Sequence, residues 1–202
     1  MALLDLPNGY YELPRGKLVN VVTCLEMLAS PGVARPAWPQ GFRLKRFGPS
    51  DIAAFRALFR AIGEDLMWFS RLIMAEDRLA GILGNPAIES FGLYQGDEAV
   101  GLLELNFEEA GQCELAFFGL AKALVGQGLG RLLMQEGLAR AWERPITRLW
   151  VHTCHYDHPR ALGFYKASGF VPYAVMIEAH DDPRLSGHLP LAAAPHVPLI
   201  KP

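Results

Sequence analysis

The stretch from Glu114 to Phe170 most constrains how this chain can fold. It holds Val125-Gly-Gln-Gly-Leu-Gly-Arg-Leu-Leu-Met134, then a helical run, then His158-Pro-Arg-Ala-Leu-Gly-Phe-Tyr-Lys-Ala-Ser-Gly-Phe170. A loop carrying paired glycines that opens directly into an apolar helix is an anion site. Bare backbone N–H groups and the positive end of the helix dipole point the same way. Glycine suits such a loop because a side chain would keep a phosphate from the backbone. A strand before the loop and a tyrosine-bearing helix after it make the anion site a candidate active site.

The elements around the loop predict an α/β fold with a mixed sheet. Phe42–Phe47 alternates like a strand, and Ser50-Asp51 caps a helix carrying Ile52, Phe55, Leu58 and Phe59. A second helical region is expected over 63–83, broken by Gly81. Ser90–Tyr94 and Ala99–Phe107 flank a Gly96-Asp97 turn and read as a hairpin. Then follow a strand over 112–120, a helix over 128–143, a strand over 147–153, a helix over 159–168 and a last strand over 171–178. Pro159 suits a first helical position and Gly169 the left-handed position past a last turn. Antiparallel hairpins thus come first, followed by a crossover through the 128–143 helix.

Three segments result. Residues 1–41 read as an N-terminal extension and linker that packs on the domain or on a partner subunit. Leu18, Val21, Val22 and Leu25 follow helical spacing and predict a short amphipathic helix over 16–28, against which the β-branched residues at 19–23 argue. Residues 42–180 form the compact domain, and 181–202 an ordered tail. At 202 residues the chain can bury a sizeable core. Its net charge of −2 gives no electrostatic case for nucleic acid or membrane surfaces. Cys24, Cys113 and Cys154 lack metal-like spacing and read as reduced thiols. No apolar run approaches the ~20 residues of a membrane span, and the N-terminus does not read as a signal peptide. The expected location is the cytoplasm, with no metal.

The two motifs together resemble the acetyl-CoA-binding motifs of the GCN5-related N-acetyltransferases (GNAT). The resemblance covers about residues 42–178. The family's pyrophosphate signature, Arg/Gln-x-x-Gly-x-Gly/Ala, is met at Gly128 and Gly130, with Val125 where Arg or Gln is usual. Its Asn-x-x-Ala-x-x-x-Tyr is met at Ala161 and Tyr165, with His158 in place of Asn. A dinucleotide fingerprint would need glycine where Arg131 stands, and an early βαβ unit instead of hairpins.

The resemblance implies a predominantly antiparallel sheet with one splayed parallel pair, flanked by helices. It also implies direct acetyl transfer from acetyl-CoA to an amine. Leu120, Val125, Gly126, Gln127, Gly128, Leu129, Gly130, Arg131, His158, Ala161 and Phe164 are its implied cofactor-binding positions. Arg131 is either a phosphate contact or a solvated first-turn arginine. A backbone N–H near Leu120 is the implied polariser of the thioester carbonyl, and Gly119 eases the bend that frees it.

Amine acetylation needs a base, because a protonated nitrogen has no lone pair, and a donor for the departing thiolate. Glu114 is the candidate base: it lies eleven positions before Val125, where the resemblance implies a catalytic glutamate in some members, and burial in an apolar strand would raise its pKa. The opposing reading is a solvent-facing edge glutamate. Glu104, His152 and His155 are reserves. Tyr165 is the candidate acid, its alternative being an aromatic packed on the sheet. Glu64, Asp65, Trp68, Phe69 and Arg71 either shape an acceptor pocket for a cationic amine or form core and solvated helix face. A non-catalytic CoA-binding module on the same fold, a longer acyl donor and a homodimer remain open.

Overall fold

One mixed sheet carries the molecule, and its order explains where the cleft falls. The computed structural model describes residues 5–202. Its strands are β1 (Lys17–Met27), β2 (Phe42–Arg46), β3 (Ile88–Gln95), β4 (Glu98–Asn106), β5 (Gln112–Leu120), β6 (Arg148–Cys154) and β7 (Val171–Asp181). Its helices are α1 (Ile52–Gly63), α2 (Glu76–Gly84), α3 (Leu129–Trp142) and α4 (Ala161–Ala167). The strands lie in the order β2-β3-β4-β5-β6-β1-β7. Every neighbouring pair is antiparallel except β5 and β6, which run parallel with α3 in the crossover between them. The β3–β4 hairpin turns at Gly96, whose φ of 58° favours glycine.

The alternation of β4 divides the core in two. Leu103 and Leu105 pack with Leu133, Leu138 and Tyr165 from α3 and α4 on one face. Leu102 packs with Phe55, Phe59, Leu79 and Leu83 from α1 and α2 on the other. Burial of so many large side chains, each contributing about 1.5–3 kcal/mol, holds the three layers together.

Two expectations from the sequence are corrected. Residues 16–28 are not a helix: β1 lies inside the sheet, bonded to β6 on one side and β7 on the other. Val19, Val21, Val22 and Thr23 lose χ1 freedom in a helix and pack well on a pleated surface, and β1 buries Val22, Cys24 and Leu25. From β1 the chain crosses α3, where Arg35 bonds Glu143 at 2.8 Å and Gln135 bonds the Ala34 carbonyl at 2.9 Å, to reach β2 at the far edge. Nor is 63–83 one helix. A short 3-10 turn over Glu64–Leu66 ends at Met67, whose φ of 60° is left-handed, and irregular chain follows before α2, which runs through Gly81.

Candidate active site

The parallel pair is short. β5 and β6 pair only at Gln112 with Arg148, Cys113 with Leu149 and Glu114 with Trp150, whereas β5 stays on β4 as far as Leu120. A bulge between Glu104 and Leu105 increases the local twist. Beyond Glu114 the two strands part, and alternate peptide groups of β5 face the gap. The gap opens into a cleft of about 2570 Å³. All the site residues expected from the sequence line it except Gln127, Leu129 and the reserve base Glu104, which is buried. Gln127 turns its amide back to the Ala123 carbonyl at 2.9 Å, and the Leu129 side chain is buried.

One end of the cleft is built from backbone. Gly126 and Gly128 have φ of 92° and 84°, and a Cβ on either would meet nothing within 4 Å. Glycine is required there by conformation rather than by crowding. Among the described residues, the N–H groups of Gly126, Gly128, Leu129 and Gly130 have no hydrogen-bond partner. They stand together at the positive end of α3. Lys122, Arg131 and Arg160 line the same end, and none is in an ion pair among the described residues. His158 organises the start of α4: its Nδ1 accepts from the Arg160 N–H at 3.1 Å, and its carbonyl from the Ala161 N–H at 2.7 Å.

At the fork, Glu114 is half-buried and its Oε1 lies 3.5 Å from His152 Nδ1. The Glu114 carboxylate is the main influence raising the His152 pKa. Desolvation opposes it, and the charges of Asp157 and Glu178 add to it. Across the cleft Tyr165 is 7% exposed and packs against Phe118 and Phe170. Burial pushes its phenol pKa up, with the Asp157 charge adding, so the proton stays on at neutral pH.

The other end is built from side chains. Trp68 lies on Gly63, where a Cβ would come within 2.4 Å of it, and fits between Phe59 and Phe117 at centroid distances of 5.4 and 5.3 Å. Its indole N–H donates to Asp157 Oδ1 at 3.3 Å. Arg71 is engaged by Glu104 at 2.6 Å, and Ser90 donates to the second Glu104 oxygen at 2.6 Å, so this buried glutamate is fully committed. His155 accepts from the Val21 N–H at 3.0 Å. The tail closes this end with Pro195 and His196. It is knotted around buried Arg184, which bonds Asp182 at 2.7 Å and the carbonyls of Ala193, Val197 and Pro198. Asn20, Asp157, Glu178, His180 and His196 were not found from sequence. Their only signal was polar side chains within apolar strands and a tail rich in proline.

Residues 55–170 match the model of the acetyltransferase (GNAT) family. The chain belongs to that family. A mycothiol acetyltransferase of Jonesia denitrificans is 26% identical over 173 residues, covering 82% of this chain and 54% of that protein. The chain thus spans about half the length of the curated relative it matches. Solved structures share the fold. A GCN5-related N-acetyltransferase from Sphaerobacter thermophilus has a TM-score of 0.58 at 16% identity, covering 81% of this chain and 52% of that one. A Drosophila protein has a TM-score of 0.63 at 15% identity, covering 83% and 52%.

Proposed function

We propose that this chain is an N-acetyltransferase that moves the acetyl group of acetyl-CoA directly to an amine. The observation that supports this reading is the placing of Glu114. The carboxylate stands at the fork of the only parallel strand pair among the described residues, in the same cleft as four bare N–H groups. Those N–H groups, with Lys122, Arg131 and Arg160 around them, suit a pyrophosphate. The gap between β5 and β6 suits the pantetheine arm, whose peptide groups can pair with the open edge of β5.

In this reading Glu114, with His152 beside it, takes the proton from the acceptor ammonium and frees the lone pair. A β5 peptide N–H near Leu120 donates to the thioester oxygen as negative charge grows on it. The C–N bond forms, the C–S bond breaks, and Tyr165, protonated at neutral pH, hydrogen-bonds the departing sulfur. The cluster of Tyr165 with Phe118 and Phe164 keeps water from this side of the cleft.

The test is thiol release from acetyl-CoA across a broad amine panel, with calorimetric titration of CoA. Loss of turnover in Glu114→Gln and Tyr165→Phe with CoA affinity kept supports catalysis. Wild-type protein that binds CoA and releases no thiol with any amine sinks it and leaves a binding module.

A further inference from the structure

The acceptor end of the cleft is acidic, and its acids are unequally committed. Glu64 is paired with Arg60, Glu114 with His152, and Asp65 accepts from the Ala194 N–H. Asp157 accepts from Trp68, Thr153 and the Cys154 N–H. Glu178 differs: it lines the cleft, it has no cation among the described residues, and its recorded partner is Asn20 Nδ2 at 3.0 Å. The lysine and arginines that line the cleft are not paired with it, while His152 feels its charge and His180 stands two residues along β7. Arg60 and Arg71 are paired with Glu64 and Glu104, while Lys122, Arg131 and Arg160 belong to the glycine-loop end.

Asn20 makes this more than a loose surface acid. It is 6% exposed, lies on the inserted strand β1 and faces Glu178 directly across the β1–β7 pair. Its Nδ2 holds one glutamate oxygen. Its Oδ1, in the same wall, is enclosed and has no donor. Glu178 is itself exposed, and a carboxylate held from one side by a buried amide, at the end of the cleft where acids gather, suits an ammonium group.

Register fixes how far this subsite lies from the chemistry. Cys24 pairs with His152, and Asn20 stands four residues further along β1, roughly 13 Å at strand rise. We infer that Glu178, positioned by Asn20, binds a second ammonium of the acceptor, so that the substrate is an elongated diamine or polyamine with nitrogens on the order of 10 Å apart. This rests on the N-acetyltransferase reading.

The test compares 1,8-diaminooctane with octylamine and 1,3-diaminopropane as acceptors for the wild type, Glu178→Gln, Glu178→Asp and Asn20→Leu. The wild type is expected to favour the long diamine in kcat/KM by about two- to fivefold, the worth of an exposed ion pair. Glu178→Gln should remove most of that preference through KM and leave the acetyl-CoA KM unchanged, and an effect of the lost charge on His152 falls on both acceptors alike and leaves their ratio unmoved. Glu178→Asp should restore part of it, and Asn20→Leu should weaken it in the same direction. Absence of the preference in wild type, or equal losses for octylamine and diamine, overturns the subsite. Titration of 1,8-diaminooctane into the CoA complex gives a readout without turnover. Weaker binding in Glu178→Gln with no thiol release from any amine leaves the subsite standing and sinks the transfer reaction. Unchanged binding sinks the subsite whether or not turnover occurs.

Discussion

The two ends of the cleft are made by different means. The glycine-loop end comes from two nearby stretches, 120–131 and 158–165, and what it offers is mostly backbone: bare N–H groups at the start of α3. The opposite end is assembled from β1, the turn after α1, the loop after β6, β7 and the tail, and what it offers is side chains. A backbone site tolerates exchange of its side chains, so Val125 can stand where Arg or Gln is usual. A side-chain site has no such freedom, and its identity changes with each residue.

Glu114 stands where the two ends meet, and the largest expected effect is there. Glu114→Gln should lower kcat by about 10²–10⁴, the usual worth of a positioned base. CoA affinity, measured by calorimetry, should hold. A parallel fall in CoA affinity would mean that the two ends are not separable.

Next comes the knot that shapes the side-chain end. Arg184→Met leaves Asp182 buried and unpaired and strips the carbonyls of Ala193, Val197 and Pro198 of their donor. The expected loss is about 3–5 kcal/mol in urea unfolding. Desolvation is the largest influence on Asp182 and pushes its pKa up. The bonds from Arg184 outweigh it and hold the carboxyl below its ordinary range. A depressed carboxyl stabilises the fold above its unfolded pKa, near 3.9, and loses that contribution as pH falls through the folded value. The gap between wild type and Arg184→Met should therefore narrow on acidification. A gap that is small at neutral pH, or independent of pH, would show that the tail is held by apolar packing alone.

Two glycines sharpen the other end. Gly128→Ala meets no neighbour but must hold a left-handed φ, at a cost of about 1–2 kcal/mol in stability. Gly130 is different. A Cβ there would touch Leu120 at 3.7 Å and Phe164 at 4.0 Å, ordinary contact distances. Gly130→Ala should leave the thermal midpoint unchanged or slightly higher. A drop in CoA affinity in that variant reports the ligand itself, and unchanged affinity would place the pyrophosphate elsewhere.

How much could be read in advance follows the same division. The loop, α3 and α4 were legible because each rests on local rules: glycines free to take positive φ, a free helix start, apolar period. β1 was not. Its burial alternates as far as Cys24, but its outer face carries the apolar Val19 and Val21, so Leu18, Val21, Val22 and Leu25 fell on a helical template by accident. The β-branched residues at 19–23 were the better signal. The region after α1 failed for another reason. Trp68 and Arg71 are held by Gly63, Asp157 and Glu104, partners distant in sequence or on other elements, and these override helical period. Asn20 and Glu178 are 158 residues apart, and no local pattern joins them.

The smallest effect tests whether Glu114 and His152 act as a unit. The carboxylate is the leading cause of the raised imidazole pKa. Glu114→Gln should move the His152 midpoint down, followed by the ring C–H shifts in an NMR titration. Desolvation would then act against only the weaker charges of Asp157 and Glu178. The sign of the linkage is fixed by the direction of the shift. A histidine raised in the folded state stabilises the protein fully below its unfolded pKa, near 6.5, and this is lost as pH rises through the folded value. Wild type should thus show a stability increment on the acid side that Glu114→Gln lacks. An unmoved midpoint would break the pair, leaving Glu114 to receive the proton alone. The pH–rate profile of His152→Asn would then match that of wild type.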